Sequence, residues 1–268
     1  MTPGARRGWY LQVNVAFLAP MGPACPVTCP VTCLVNRIRR QTIGMNPTTF
    51  IFDLDGTLID SLVDLGTTTN AVLETCGFPI HPIDRYRTLV GDGVRVLFQR
   101  ALPAGVRDDE SILDTCIEQF HQRYEKSWDR TTLPYPGIDA MLDRLVADRH
   151  RLAVLSNKPH PFTVACVRRF FPSHPWGAVL GSSPELAKKP DPAGVFSIVS
   201  EMKTVPEKCY YLGDTNTDMW TARAAGCIAI GVTWGFRPAE ELLSSGAHHI
   251  IDHPAELFGI LPAADPKP

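Results

Sequence analysis

This sequence of 268 residues lacks long apolar stretches. It also lacks a strong excess of positive or negative charge and a pattern of paired cysteines. No uninterrupted apolar run reaches the roughly 18 residues that a membrane-spanning helix needs. The 26 lysines and arginines nearly balance the 28 aspartates and glutamates, which leaves a net charge of −2. Because nucleic acids and anionic membranes attract strongly basic surfaces, we expect no nucleic-acid partner and no membrane partner.

The eight cysteines do not form the pattern of a disulfide framework. Single cysteines in apolar stretches are usually buried and reduced, which favours a cytoplasmic location over an oxidising compartment. Five of the eight are of this kind: Cys76, Cys116, Cys166, Cys209 and Cys227. The other three lie in the run CPVTCPVTC, at Cys25, Cys29 and Cys33. A zinc site usually has four ligands in two pairs, so this run does not predict one, and its role stays open.

Residues 1–44 differ from the rest of the chain because they are rich in proline, glycine and arginine and have no sustained apolar period. A segment of this kind buries too little apolar surface to offset the entropy lost on ordering. We predict a disordered N-terminal extension, and whether the native protein carries it stays open. The folded part is predicted to start near Met45, shortly before the strand-like run TTFIFD.

From Thr49 onward, short apolar runs alternate with helical patterns. The apolar runs are TFIFD at 49–53, LAVLS at 152–156, GAVLG at 177–181, CYYLG at 209–213 and IAIGV at 228–232. The helical patterns lie near 138–148, 160–171, 192–202, 217–225 and 238–245. Strands that alternate with helices form βαβ units, and strands apolar at every position are covered by helices on both faces. The sequence therefore predicts an α/β fold with a parallel sheet.

Residues 61–134 interrupt this alternation because they have helical periodicity but no convincing strand. The clearest helical patterns in this segment are 62–77, 94–102 and 112–128. An insert of this kind after the first strand predicts a second, smaller helical domain. The flanking segments, 45–60 and 135–262, would together form the core domain.

Two carboxylates follow the first predicted strand, in the run Asp53-Leu54-Asp55-Gly56-Thr57. Residues two apart on an extended chain point to the same side, so Asp53 and Asp55 can face one reaction centre. Gly56 permits a tight turn directly after them. Taken alone, the pair fits either a catalytic site or a capped turn.

Polar residues also follow later elements of the predicted sheet, where an open α/β sheet binds its ligands. Ser156 and Asn157 offer a hydroxyl and backbone N–H groups that suit either a phosphate oxygen or a helix cap. Lys189 lies just before a predicted helix and either neutralises a phosphate or is solvated. Asp214 and Asp218 offer hard oxygen ligands that suit Mg²⁺, or they cap a helix.

Taken together and in this order, the motifs resemble those of the haloacid-dehalogenase (HAD) superfamily: D-x-D-G-T, a serine or threonine, a lysine, and G-D-x-x-x-D. The resemblance covers residues 49 to about 260, and it extends to the phosphoglycolate phosphatases of that superfamily through VGDGVRVLFQRAL, SNKP and KKPDP. It implies a Rossmann-like parallel-sheet core with a small α-helical cap domain inserted after the first strand. It also implies a phosphatase that hydrolyses phosphomonoesters.

The resemblance implies a role for each matching residue. Asp53 would attack phosphorus and form an aspartyl phosphate, and Asp55 would act first as an acid and then as a base. Mg²⁺ would be held by Asp53, by the backbone carbonyl of Asp55 and by Asp214. The phosphoryl oxygens would be bound by Ser156, Asn157 and Lys189. Thr57 and Asp218 would contact the metal ligands without binding the metal themselves.

The implied substrate is a small phosphorylated metabolite, with 2-phosphoglycolate as the first choice. Gly91 and Gly93 in the cap would let the backbone approach a short substrate closely. Arg95 either offers a guanidinium fork to a carboxylate or is a solvated helix residue. The alternatives are another small phosphomonoester, inorganic pyrophosphate, or a catalytically inactive phosphate-binding module. The sequence gives no sign of an oligomeric state.

Overall fold

The computed structural model of this chain describes residues 48–262, which belong to one compact unit. The predicted N-terminal extension and the cysteine run at Cys25, Cys29 and Cys33 lie outside the described residues, so those interpretations stay predictions. Between residues 48 and 262, no helix combines the length and the apolar character needed to cross a membrane.

The described residues contain one large parallel sheet and one short antiparallel ribbon. The strands are β1 (Thr49–Phe52), β2 (Ile59–Asp60), β3 (Leu133–Pro134), β4 (Arg151–Pro159), β5 (Trp176–Ser182), β6 (Cys209–Gly213), β7 (Ile228–Val232) and β8 (His249–Ile251). Six of these described strands form the parallel sheet, in the order β5-β4-β1-β6-β7-β8. The predicted α/β fold with a parallel sheet is confirmed. The sequence analysis did not predict β2, β3 and β8, and β3 lies at the end of the segment 61–134 in which no strand was expected.

β1 lies in the middle of the sheet and is buried at every position. Phe50 and Phe52 pack into the hydrophobic cluster on one face of the sheet, and Ile51 packs into the cluster on the other face. A strand between two helical layers must be apolar on both sides, which explains the unbroken run TFIF. Because β1 pairs with β4 and β6 in parallel, the residues that follow these three strands meet at one edge of the sheet.

Helices cover both faces of this sheet and fill the insert. They are α1 (Leu62–Thr75), α2 (Tyr86–Leu89), α3 (Val94–Ala101), α4 (Glu110–Tyr124), α5 (Ile138–Ala147), α6 (His160–Phe170), α7 (Ala193–Glu201), α8 (Asn216–Ala225), α9 (Ala239–Ser244) and α10 (Leu257–Ile260). The helices predicted around the sheet, α5 to α9, are present at the predicted positions. Two short helices, α2 and α10, were not predicted.

Helices α1 to α4 pack around a hydrophobic cluster that is separate from the two clusters of the sheet. Leu73, Phe98 and Leu113, from three different helices, are fully buried in it. The chain leaves the sheet through β2 and returns through β3, and these two strands pair antiparallel. The insert is therefore attached to the sheet by a two-stranded ribbon at its base.

Candidate active site

Asp53 directly follows β1 at the edge of the sheet where β1, β4 and β6 end. Its side chain is only 8% exposed, and the ammonium nitrogen of Lys189 lies 2.8 Å from Asp53 Oδ1. No donor among the described residues reaches this oxygen with good hydrogen-bond geometry, so the contact with Lys189 is mainly ionic. A buried carboxylate that is incompletely hydrogen-bonded is a candidate for binding a ligand or attacking one.

Two further carboxylates lie beside Asp53. Asp53, Asp214 and Asp218 each have an oxygen within 4.8 Å of the others, and all three residues are buried. Asp218 lies in the first turn of α8, where it forms a capping box with Thr215. Its Oδ1 atom lies 2.6 Å from Lys189 Nζ. Asp218 is therefore held by the helix end and by the lysine together.

Asp214 follows β6 and is held by hydrogen bonds to both of its oxygens. Thr57 Oγ1 donates to Oδ1 at 3.0 Å, and the backbone N–H of Phe236 donates to Oδ2 at 2.9 Å. The backbone closes tightly around this carboxylate, because a Cβ atom at Gly56 would lie 2.3 Å from Asp214 Oδ2 and one at Gly235 would lie 2.3 Å from Asp214 Cβ. Only glycine fits at these two positions without displacing Asp214.

The cluster carries more negative than positive charge, and its pKa values reflect this. Burial raises the pKa of Asp53 to about 7, with Lys189 opposing the rise and the carboxylate of Asp218 adding to it. Burial and the carboxylates of Asp218 and Asp53 also raise the pKa of Asp214 well above its usual range. With all three carboxylates ionised, one ammonium would leave two negative charges uncompensated, and the raised pKa values show that this state is unfavourable without a further cation. A divalent cation would balance these charges. The residues present fit a metal ion.

Asp55 lies two residues after Asp53, and its side chain is 17% exposed. Ser61 Oγ donates a hydrogen bond to Asp55 Oδ1 at 2.6 Å. Lys158 Nζ donates to the two oxygens of Asp55 at 2.9 and 3.1 Å, and it also donates to the hydroxyl oxygen of Tyr124 at 2.7 Å. The carboxylate of Asp55 is therefore oriented from both the sheet domain and the base of the insert.

Ser156 and Asn157 follow the apolar part of β4. The backbone N–H of Lys158 donates to Ser156 Oγ at 3.2 Å, which leaves the serine hydroxyl hydrogen free to donate to a ligand. The phosphate contact predicted for Asn157 stays a prediction, and its side chain is occupied by backbone groups. Its Oδ1 accepts from Lys189 N at 2.9 Å, and its Nδ2 donates to the carbonyl oxygens of Lys189 and Gly91, both at 3.2 Å. Asn157 thus joins the Lys189 loop to the insert.

One pocket connects these residues with the insert. Its lining includes Asp53, Asp55, Ser156, Asn157, Gly91 and Gly93. Arg95 is not among the lining residues, so of its two predicted alternatives the structure agrees with the solvated helix residue. Its guanidinium nitrogens lie 2.6 Å from Glu110 and 2.6 Å from Asp114 on α4, in exposed ion pairs. The two carboxylates of the neighbouring helix hold Arg95 on the outer surface of the insert.

Residues 50–232 match the family model described as haloacid dehalogenase-like hydrolase, which is more than half of the chain. The chain belongs to the haloacid dehalogenase-like hydrolases. The D-x-D-G-T run at Asp53 and the carboxylates at Asp214 and Asp218 lie within the matched segment. The resemblance inferred from the motifs is confirmed.

Individual proteins with related sequences and structures agree with this assignment. The hydrolase is 34% identical over 204 residues to a phosphoglycolate phosphatase of Psychrobacter arcticus, covering 74% of this chain and 88% of that protein. It is 30% identical over 227 residues to a phosphoglycolate phosphatase of Pseudomonas putida, covering 83% and 82%. A crystal structure of a predicted phosphoglycolate phosphatase from Haemophilus somnus superposes with a TM-score of 0.74 at 29% identity, covering 81% of this chain and 99% of that one.

The sequence analysis missed two residues of this hydrolase that the structure places beside Asp55. Lys158 follows Ser156 and Asn157 directly, so its position after a strand was a signal, but a lysine at a strand end is more often solvated. Tyr124 is the last residue of α4 and lies 34 residues before Lys158. Ile117 and Phe120, which precede it at helical spacing, indicate only a buried helix face, so its contact with Lys158 could be found only from the structure.

Proposed function

We propose that this hydrolase is a magnesium-dependent phosphatase that acts through an aspartyl phosphate on Asp53. The observation that carries the proposal is the joint placement of Asp53 and Asp55 on the wall of one pocket, next to a buried group of Asp214, Asp218 and Lys189. A nucleophile, a proton donor and a cation for the phosphoryl group are the parts that phosphoryl transfer requires.

In the first half of the reaction, a carboxylate oxygen of Asp53 attacks the phosphorus atom of the substrate. The bond from phosphorus to the leaving oxygen breaks, and Asp55 donates a proton to that oxygen. Lys189 and the free hydroxyl hydrogen of Ser156 stabilise the negative charge on the phosphoryl oxygens. The products of this step are the dephosphorylated leaving group and an acyl phosphate on Asp53.

In the second half, a water molecule attacks the same phosphorus atom. Asp55, now ionised, takes a proton from this water, and the bond between phosphorus and Asp53 breaks. Inorganic phosphate leaves, while Asp53 returns to its carboxylate form and Asp55 to its protonated form. The hydrogen bonds of Asp55 to Ser61 and Lys158 would keep its carboxyl group directed at the reaction centre in both steps.

The metal site would use a carboxylate oxygen of Asp53, the backbone carbonyl of Asp55 and a carboxylate oxygen of Asp214. Asp218 would stay behind them, because its oxygens already accept hydrogen bonds from Lys189, Tyr211 and Thr215. When bound, Mg²⁺ supplies positive charge that reduces the repulsion between the anionic nucleophile and the anionic substrate. Carboxylate and carbonyl oxygens are the ligands that this ion prefers.

Residues 61–134 would act as a cap domain that closes over the pocket. Hydrogen bonds already join this segment to the loops of the core. Arg87 Nη1 donates to the carbonyl oxygen of Gly235 at 2.8 Å, and Thr217 Oγ1 donates to Asp92 Oδ1 at 2.7 Å. Closure over the substrate would exclude bulk water and strengthen the electrostatic contacts of the site.

The substrate would be a small phosphomonoester, with 2-phosphoglycolate as the first candidate. The support comes from the related phosphoglycolate phosphatases of Psychrobacter arcticus and Pseudomonas putida, at 34% and 30% identity. Gly91 and Gly93 line the pocket with positive φ angles of 119° and 90°, so cap backbone without side chains faces the ligand. The described cysteines are free thiols, which supports a reducing, cytoplasmic location.

The test is a substrate panel with Mg²⁺ that contains phosphoglycolate, ethyl phosphate, glycerol 3-phosphate and pyrophosphate. We expect phosphoglycolate to have the highest kcat/KM, by at least about tenfold over ethyl phosphate. A higher kcat/KM for pyrophosphate would replace the proposed substrate with the alternative one. No hydrolysis of any phosphate, including a chromogenic aryl phosphate, would indicate an inactive phosphate-binding module.

A further inference from the structure

The wall of the pocket beside Asp55 is largely apolar. Leu65, Leu97, Phe120 and Phe162 contribute to it from the insert and from α6. Among the lining residues, all of which belong to the described part of the chain, Lys158 is the one lysine or arginine. Burial lowers the pKa of His121, the histidine of this wall, so its ring is neutral near pH 7.

Lys158 is held more rigidly than a typical lysine. Its side chain is only 4% exposed. Its ammonium nitrogen contacts the two oxygens of Asp55 at 2.9 and 3.1 Å and the hydroxyl oxygen of Tyr124 at 2.7 Å. It also lies 4.8 Å from the centre of the Tyr124 ring, within the range of a cation–π contact. Its charge is therefore fixed at one place in the pocket.

The hydroxyl group of Tyr124 adds a second donor at the same place. Its oxygen accepts the hydrogen bond from Lys158, and no acceptor for its own hydrogen occurs among the described residues. A tyrosine hydroxyl can donate and accept at once. Lys158 and Tyr124 therefore present an ammonium and an O–H donor side by side, which is a combination that suits a carboxylate.

The position of Lys158 and Tyr124 relative to Asp55 determines which part of a substrate contacts these two residues. Asp55 must lie within hydrogen-bond distance of the leaving oxygen in order to protonate it. Atoms attached to the leaving oxygen then lie next to Asp55, and Lys158 Nζ is 2.9 Å from Asp55 Oδ1. In phosphoglycolate, a single methylene group separates the leaving oxygen from the carboxylate, so the carboxylate falls within reach of Lys158.

We infer that Lys158, together with the Tyr124 hydroxyl, binds an anionic group on the leaving side of the substrate and so selects acidic phosphomonoesters. This inference rests on the proposed phosphatase function and assigns its substrate preference to two residues. Arg95, which the sequence offered as a possible carboxylate-binding residue, is held by Glu110 and Asp114 outside the pocket. Lys189 is engaged with Asp53 and Asp218, where the phosphoryl group would bind.

The test compares phosphoglycolate with ethyl phosphate, in which a methyl group replaces the carboxylate. Lys158→Met keeps an unbranched buried side chain and removes the charge. We expect it to lower kcat/KM for phosphoglycolate by at least about 30-fold more than for ethyl phosphate, because truncating a buried charged partner is costly. Tyr124→Phe should lower the ratio of kcat/KM for phosphoglycolate to kcat/KM for ethyl phosphate by about fivefold, because it removes a single hydrogen bond. The fold should stay intact. Lys208→Met, an exposed lysine before β6, is the matched control and should leave the ratio unchanged.

Equal losses for both substrates in Lys158→Met would overturn the inference, because they would show that Lys158 acts only by orienting Asp55. An unchanged ratio in both variants would overturn it as well. If Lys158→Met does not fold, as judged by thermal unfolding, the ratio in Tyr124→Phe decides. If the wild-type enzyme does not prefer phosphoglycolate, the proposed substrate is wrong. The inference is then tested by comparing kcat/KM for 3-phosphoglycerate, which has a carboxylate, with kcat/KM for glycerol 3-phosphate, which has none. A preference for the acid that Lys158→Met abolishes would support the inference, and no such preference would overturn it.

Discussion

At the scale of single residues, the site combines several charges in a space with little access to water. Lys189 contacts Asp53 at 2.8 Å and Asp218 at 2.6 Å, while Asp214 forms no ion pair with another described residue. Burying a charge is costly unless it is paired. A substitution in this group therefore changes both the chemistry and the electrostatic balance, and the two effects can be measured separately.

Asp53→Asn should abolish turnover, because an amide oxygen is not a competent nucleophile toward phosphorus while the side-chain volume is kept. The melting temperature of the metal-free protein should equal or exceed that of the wild type. The reason is that one of three mutually repelling carboxylates is removed while Lys189 keeps Asp218 as its partner. Hydrolysis of an aryl phosphate and thermal unfolding measure the two effects. Turnover within about tenfold of the wild type would show that another residue is the nucleophile.

Asp55→Asn should slow both half-reactions, because an amide neither gives nor takes the required proton. General acid–base catalysis contributes about 10²–10⁴-fold, so kcat should fall by that factor. Asp139→Asn is a matched control, since Asp139 is an exposed carboxylate at the start of α5 and should leave kcat unchanged. A loss of less than about threefold in Asp55→Asn would assign the acid–base role to a different group.

At the scale of elements, the insert is secured at its base by a buried carboxylate outside the active site. Asp64 in the first turn of α1 accepts hydrogen bonds from the backbone N–H and hydroxyl groups of Thr131 and Thr132, at 2.8 to 3.2 Å. These threonines precede β3, which returns the chain to the sheet. Although burial opposes it, these hydrogen bonds hold the pKa of Asp64 below its usual value of 3.8.

Asp64→Asn should lower the free energy of unfolding at pH 7 by about 2–4 kcal/mol. The amide is an uncharged acceptor, and its NH₂ group would face N–H and O–H donors of Thr131 and Thr132 that it cannot accept from. A lowered folded-state pKa contributes stability above the unfolded-state pKa of 3.8, and this contribution is lost as the pH falls through the folded-state value. The difference in the free energy of unfolding between variant and wild type should therefore shrink below about pH 4. Urea unfolding at pH 7 and near pH 3 tests this, and an equal difference at both pH values would contradict it.

At the scale of the whole molecule, the sheet and the insert bring together residues that are far apart in the chain. The acidic group joins Asp53 to Asp214 and Asp218, and the pocket adds Tyr124 and Lys158. A ligand that binds this assembly stabilises the folded state, because the unfolded chain has no such site. Metal binding can therefore be measured through global stability as well as through activity.

Addition of Mg²⁺ should raise the melting temperature, since a dication balances the two excess negative charges of the acidic group. At a concentration about 100 times Kd, the expected stabilisation is about 2.7 kcal/mol. Asp214→Asn should reduce this gain, because it removes one of the proposed ligands. A chelator should abolish hydrolysis of an aryl phosphate, and Mg²⁺ should restore it. Full activity in excess chelator, or a melting temperature that does not respond to Mg²⁺, would exclude the metal site.

Deleting residues 1–44 should leave activity and melting temperature nearly unchanged. This expectation comes from the composition of the segment, which lacks the periodic apolar positions needed to bury surface. The family match starts after it, at residue 50. Activity assays and thermal unfolding of the shortened chain provide the measurement. A decrease of several degrees in the melting temperature would show that the segment packs against the rest of the protein.

Most elements of the fold could be predicted from local patterns, and the exceptions are short. The runs TFIF and CYYLG are apolar at every position, so they indicate strands buried on both faces. β8 has three residues, His249–Ile251, and α2 has four, Tyr86–Leu89, and segments of this length show no measurable period. Their structure depends on pairing with β7 and on packing in the insert, which local sequence does not encode.

The sequence by itself determined the family of the chain, the α/β architecture and the chemical identity of the motifs, because these depend on residue types at fixed spacing. Tertiary structure alone decided which charges face the pocket. Arg95 and Lys158 are both cations in promising sequence contexts, yet α4 holds Arg95 outside with two carboxylates, while Asp55 and Tyr124 hold Lys158 inside. The physical reason is that a side chain's direction is set by partners from other elements, which here lie 15 to 103 residues away in the chain.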